Sequence, residues 1–186
     1  MKTTQQSKAA IATMCEGALM IAMAEILSFI TLYKLPWGGS IDLAMLPIFL
    51  FCYKWGFGPG MIVSTAHAIL QTLFEGGIAI GWQSIIGDFL LAYMVLGTAG
   101  LFSRIRGGYY WGAAFGCIVR FGVHYVVGAT IWAAYMPPEF FGMTMTSPWL
   151  YSALYNGAYM IPNCILVLLV GWLLMKTPAK TYLIPK

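Results

Sequence analysis

Hydrophobic positions run almost unbroken through six stretches of the chain, roughly 11–33, 41–55, 58–74, 78–102, 109–134 and 149–175. Short breaks separate them: Lys34–Leu35–Pro36–Trp37–Gly38–Gly39, Gly56–Phe57–Gly58–Pro59–Gly60, Gly76–Gly77, Arg104–Ile105–Arg106–Gly107–Gly108 and Pro137–Pro138. Glycine and proline at such places punctuate helices. A helix crossing a bilayer needs roughly 20 predominantly apolar residues. The pattern therefore predicts an all-α integral membrane protein with six transmembrane helices, forming one domain over residues 1–186. The second and third stretches are short, and Pro47 lies in one of them. A re-entrant pair is thus the alternative to two full crossings there. The first stretch exceeds the ~7–15 residues of a signal-peptide core, so it predicts a retained helix.

Composition sharpens this reading. Of 186 residues, 60% are hydrophobic and 9% charged, against about 25% charged in soluble domains. So few charges cannot wet the surface of a soluble enzyme. Basic residues then orient the helices. With the N-terminus inside and six crossings, Lys2, Lys8, Lys54, Arg104, Arg106, Lys176, Lys180 and Lys186 lie inside and only Lys34 outside. This bias predicts an N-in, C-in topology. The net charge of +4 is accordingly a topology signature, and no nucleic-acid partner is expected. Cys15, Cys52, Cys117 and Cys164 stand singly in apolar sequence, which suggests neither disulfides nor a zinc site.

Polar side chains inside such helices are costly and mark function or structural pairing. Asp88, His124 and Asn156 fall ten, ten and eight residues from the outer ends of their predicted helices, roughly 12–15 Å deep at one level. They can converge on one ligand. The competing readings are an Asp88–Arg120 ion pair, a packing role for His124, and interhelical bonding by Asn156. Trp132 follows His124 by two turns, and Gly128 between them leaves a side-chain-sized gap. Aromatic faces beside a carboxylate suit a flat cationic heterocycle, although interfacial belts also use tryptophan. Glu16 reads as an interfacial or contact residue; Glu25, His67 and Glu75 acquire no role from the pattern. The chain contains no P-loop, HExxH, GxSxG or HxE…PCxxC motif, so it is not expected to hydrolyse ATP or to be an enzyme.

Several stretches, in this order, resemble the thiamine-specific substrate-binding subunits (S-components) of energy-coupling factor vitamin transporters. They are Leu35–Pro36–Trp37–Gly38–Gly39–Ser40–Ile41 with Leu46–Pro47–Ile48, Asp88–Phe89–Leu90–Leu91–Ala92–Tyr93, and Leu96–Gly97–Thr98–Ala99–Gly100–Leu101–Phe102. Arg120–Phe121–Gly122–Val123–His124 with Gly128 and Trp132, and Tyr151–Ser152–Ala153–Leu154–Tyr155–Asn156–Gly157, complete the set. The resemblance implies a bacterial, multi-pass plasma-membrane protein that binds thiamine near the extracellular face. Its partners would be a membrane-embedded coupling subunit and two cytoplasmic ATPases. Thiamine would be a transported ligand, with no cofactor or metal. The implied ligand residues are Trp37, Asp88, His124, Gly128, Trp132, Tyr151 and Asn156. A small-residue stripe at Ala18 and Ala22 would dock the coupling subunit.

Three positions depart from the family pattern: Asp88 where some members have glutamate, Phe89 where tyrosine occurs, and Ile78 where a loop tyrosine is expected. Two other readings remain at this level. One is a subunit of the same class for another vitamin or a thiamine precursor; the other is a self-sufficient secondary transporter of organic cations.

Overall fold

The apolar stretches condense into helices that stop at the glycine and proline breaks. The computed structural model describes residues 2–185, leaving out the side chains of residues 2–6 and of Trp37. The Trp37 side chain, the Lys2 side chain and Lys186 therefore lie outside the described part. Helix α1 spans Lys2–Phe29, α2 Met45–Trp55, α3 Phe57–Glu75 and α4 Trp82–Phe102. Helix α5 covers Gly108–Thr130, α6 Pro148–Lys176 and the short α7 Lys180–Leu183.

Four of these are long and apolar enough to cross a membrane: α1 over Ser7–Phe29, α4, α5 and α6. Helix α2 is different. Its 11 residues rise about 16 Å, against a hydrocarbon core of about 30 Å. Met45 through Cys52 are all buried, so α2 serves as an inner post around which α1, α3, α4 and α5 pack. Its entry is stitched to α6 by Asn163, which accepts from the Asp42 backbone N–H at 2.8 Å and donates to the Ser40 carbonyl at 2.7 Å. The Asp42 carboxylate in turn accepts from the Ala44 N–H at 2.9 Å and opens the helix.

Outward faces are apolar: Ile62, Leu73, Ile118 and Ile161 are among the exposed large side chains. Polar groups turn inward, because lipid offers them no hydrogen bonds. Two polar clasps fasten α1. Lys54 pairs with Glu16 at 2.7 Å, which gives Glu16 a definite contact on α2. Glu25 accepts from Gln71 at 3.0 Å and lies 2.7 Å from His67 Nδ1, all three buried. Ala18 and Ala22 lie on the exposed side of α1, whereas Gly17, Ala24 and Glu25 face the bundle. The four cysteines are free thiols.

Helix α4 is not a uniform α-helix. It opens with one α-turn at Trp82–Ser84, widens into a π-helix over Ile85–Leu91 and tightens to a 3-10 helix over Val95–Phe102. In the tight part, a Cβ on Gly100 would stand 2.5 Å from the Gly56 carbonyl carbon, so glycine lets α4 touch the α2–α3 turn. Two hairpins also appear where the sequence shows only breaks. One pairs β1 (Tyr33–Lys34) with β2 (Ser40–Ile41), and the other β3 (Glu139–Phe140) with β4 (Met143–Thr144), both antiparallel. They belong to the α1–α2 and α5–α6 connections, which meet the α3–α4 connection at one end of the bundle.

Candidate binding site

A cavity of about 830 Å³, measured out to open solvent, lies beneath those three connections. Gly38–Gly39–Ser40 and Ile78 contribute backbone and small groups at the mouth, and Tyr135 closes another side. Asp88, Phe89 and Tyr93 come from α4, Arg120, His124 and Gly128 from α5, and Tyr151, Ser152, Tyr155, Asn156 and Tyr159 from α6.

Asp88 is the hub. It sits in the π-turn, where the Ala92 N–H reaches back five residues to the Gly87 carbonyl; such turns recur at functional sites. One carboxylate oxygen lies 3.0 Å from His124 Nδ1. The other accepts from the Trp132 indole N–H at 2.7 Å and the Ser84 hydroxyl at 2.9 Å. Ser84 is the residue that sequence reasoning passed over, although it stands at the i, i+4 spacing from Asp88 that puts helical side chains together.

The protonation of His124 follows from its neighbours. A guanidinium can only donate, and Arg120 Nε lies 3.4 Å from His124 Nε2. That nitrogen therefore accepts, the ring proton resides on Nδ1, and Nδ1–H donates to Asp88. Arg120 thus touches Asp88 only through the imidazole. The direct Asp88–Arg120 ion pair weighed from sequence is not formed: among the described residues, Arg120 has no carboxylate within 4.0 Å. Its guanidinium lies over the Tyr93 ring instead, 4.1 Å from the centroid.

Two sequence expectations need refinement. Gly128 lines the cavity, but its missing side chain does not simply leave open space. A Cβ there would come 2.4 Å from Ser152 Oγ and 3.2 Å from Asn156 Nδ2, so its missing side chain is the seat of α6 against α5. Ser152 also donates to the Tyr125 carbonyl at 2.8 Å across that seam. Nor does Trp132 follow His124 on one helical wheel. Helix α5 ends at Thr130, and Trp132, with φ −87° and ψ 1°, turns its indole back onto α4.

Asp88, His124 and Asn156 line the same cavity. Asn156, however, is occupied by the protein: Nδ2 donates to the Ser152 carbonyl at 2.9 Å and to the His124 carbonyl at 3.3 Å, while Oδ1 accepts from Tyr159 at 2.8 Å. Tyr151 is buried, edge-on to Phe140 of the β3–β4 hairpin at 5.3 Å. Tyr155 donates to the Pro36 carbonyl and accepts from the Gly39 N–H at 3.2 Å, tying the α1–α2 connection over the cavity. Trp37 belongs to the 3-10 turn Pro36–Gly38 of that connection.

Glu75, at the end of α3, also lines the cavity. Burial raises its carboxyl above the ordinary carboxylate range, with Lys34 and Arg120 acting the other way and Asp42 and Glu25 reinforcing the rise. Among the described residues, no group of three or more histidine, cysteine or acidic side chains could hold a metal ion. The arrangement offers a carboxylate, aromatic rings and hydrogen-bonding groups to whatever enters the cavity.

Comparisons with known proteins identify the family. The family model described as Thiamine transporter protein (Thia_YuaJ) matches residues 14–183. The thiamine transporter ThiT of Bacillus subtilis strain 168 is 27% identical over 177 aligned positions, covering 87% of this chain and 89% of that protein. ThiT of Lacticaseibacillus paracasei is 25% identical over 181 positions, covering 88% and 87%. A solved structure of ThiT from Listeria monocytogenes superposes with a TM-score of 0.82 at 22% identity, over 96% of this chain and 100% of that one; it shares the fold. With the family model spanning nearly the whole chain and apolar helices suited to a bilayer, this multi-pass membrane protein belongs to the thiamine transporter family.

Proposed function

We propose that the chain is the thiamine-binding subunit of an ATP-driven, energy-coupling-factor uptake transporter in a bacterial plasma membrane. The observation that carries the ligand assignment is Asp88, a carboxylate with three protein donors set among aromatic rings. Thiamine joins an aminopyrimidine, which hydrogen-bonds in its plane, to a thiazolium with a fixed positive charge. Asp88 would accept from the amine, Trp132 and His124 would offer ring faces, and Tyr151 and Asn156 would line the far wall. Trp37 would close the mouth from the α1–α2 connection. Gly128 would act by holding α5 and α6 together.

The whole chain, 1–186, works in this reading as one six-helix transmembrane domain with both termini inside. The buried, short α2 would enter the membrane together with α3, so the orientation holds whether or not both cross fully. Orientation rests on the lysines and arginines at the end opposite the cavity. Energy would come from partners, a membrane-embedded coupling subunit and two cytoplasmic ATPases. The exposed Ala18 and Ala22 stripe on α1 would supply the docking face.

Titrating the purified protein with thiamine while following tryptophan fluorescence tests the ligand. Saturable quenching is expected. Vesicles containing this chain alone test the mechanism: thiamine should be bound but not accumulated along an ion gradient. Gradient-driven accumulation would instead make it a self-sufficient secondary transporter.

A further inference from the structure

Two carboxylates face the cavity, and they differ in what already surrounds them. Asp88 accepts from His124, Trp132 and Ser84. Glu75 is half-buried, lines the same cavity, and has no hydrogen bond or ion pair within 4.0 Å among the described residues. The same cavity is lined by Arg120, a buried cation with no carboxylate within 4.0 Å among the described residues.

Charge arithmetic follows from these three groups. His124 is neutral through its bond from Arg120. Counting each acid as its carboxylate, among the residues that line the cavity Asp88 and Arg120 sum to zero and Glu75 leaves the lining at minus one, with Lys34 acting on Glu75 from outside it. A ligand with a single fixed positive charge brings it to zero. Without Glu75, such a cation would enter a cavity whose one other negative group is already offset. In a low-dielectric pocket an uncompensated charge is expensive.

On the reading of the site as a thiamine site, we propose that Glu75 is the counter-ion of the ligand's cationic ring, while Asp88 reads the hydrogen-bonding ring. The division has a chemical reason. Asp88 is held by directed donors and so presents fixed lone pairs, as recognition of a planar amine requires. Glu75 is unengaged at the end of a helix, and a diffuse heterocyclic cation needs proximity rather than a directed bond. The other charged groups acting on Glu75 are Lys34 from β1, Asp42 before α2, Arg120 from α5 and Glu25 from α1. Burial without a partner leaves Glu75 with most to gain when a cation arrives.

The test uses the full-length protein, the Glu75→Gln variant and two ligands: thiamine, and its neutral isostere in which a thiophene replaces the thiazolium. Glutamine keeps the size and removes the charge. Glu75→Gln should weaken thiamine binding about ten-fold, the scale of a half-buried charge pair, and leave the isostere's affinity unchanged within about two-fold. Acidification should also weaken thiamine binding to the wild-type protein, as Glu75 takes up a proton above the usual carboxylate range, and this loss should be smaller in Glu75→Gln. Equal losses for both ligands would make Glu75 a structural residue and overturn the proposal. No loss for either would overturn it as well. If the wild-type protein binds the neutral isostere and thiamine equally, the counter-ion role fails while the thiamine-site reading stands. If it binds neither, that reading fails first.

Discussion

The indole of Trp132 and the carboxylate of Asp88, 44 positions apart in sequence, are joined by a 2.7 Å hydrogen bond across the cavity. The contact fixes the indole edge of Trp132 against α4, and Tyr135 packs against the same ring with centroids 5.8 Å apart. It is made just beyond the end of α5 at Thr130.

Replacing Asp88 by Asn should therefore disturb the ligand more than the fold. An amide must turn its NH2 group toward His124 or toward Trp132 and Ser84, each of which donates. A hydrogen bond to a charged group is worth about 1.5–3 kcal/mol, which corresponds to a roughly ten- to hundred-fold loss of thiamine affinity. Calorimetric titration beside a thermal melt separates the two effects. Unchanged affinity in a folded Asp88→Asn protein would make Asp88 purely structural.

Trp132→Phe keeps a ring and removes the indole donor. Thiamine-induced quenching should shrink sharply, because the fluorophore nearest the ligand is gone, and affinity should fall with the loss of a donor to Asp88. Quenching of equal amplitude in both proteins would place the ligand away from Trp132.

At Gly128 the expected effect is on stability. A methyl group placed there meets Ser152 Oγ, and overpacking of this kind costs about 1–3 kcal/mol. Gly128→Ala should lower the melting temperature in detergent. In a Ser152→Gly background the same substitution should cost less, since its obstacle is gone. Equal cost in both backgrounds would show that α5 and α6 are not locked at this point.

The α1 clasp gives a contrasting case. Glu25→Ala strands two fully buried side chains, His67 and Gln71, at about 1–3 kcal/mol for each unsatisfied group. Among the described residues His67 Nε2 and Gln71 Oε1 already lack a hydrogen-bond partner, so neither side chain has a second hydrogen bond to fall back on. The melting temperature should drop while thiamine affinity changes little. A large affinity loss at unchanged stability would mean the clasp communicates with the cavity through Tyr93, whose ring lies edge-on to His67 at 5.2 Å.

Ala18 and Ala22, exposed on the outer side of α1, separate binding from transport. Replacing both with tryptophan should abolish ATP-driven uptake by the assembled transporter and leave thiamine binding by the isolated chain intact. Loss of both would assign the stripe to the chain's own packing. Surviving uptake would move the docking face elsewhere.

Helices and their approximate limits were legible in the sequence, because lipid demands long apolar runs and glycine or proline ends them. That Asp88, His124 and Asn156 fall at corresponding positions along their helices was legible too, since the rise per residue is fixed, and all three line the cavity. What each polar group touches was not. Helical spacing cannot report the π-turn that aims Asp88, the reversal that brings Trp132 back, or the closeness of Ser152 that requires glycine at 128. Nor could it tell that Asn156 is consumed by its neighbours while Glu75 is left unengaged. Burial and lipid exposure act on each segment separately and leave their mark in its composition. Hydrogen-bond partners depend on how distant segments rotate against one another, and that is settled only when the helices pack.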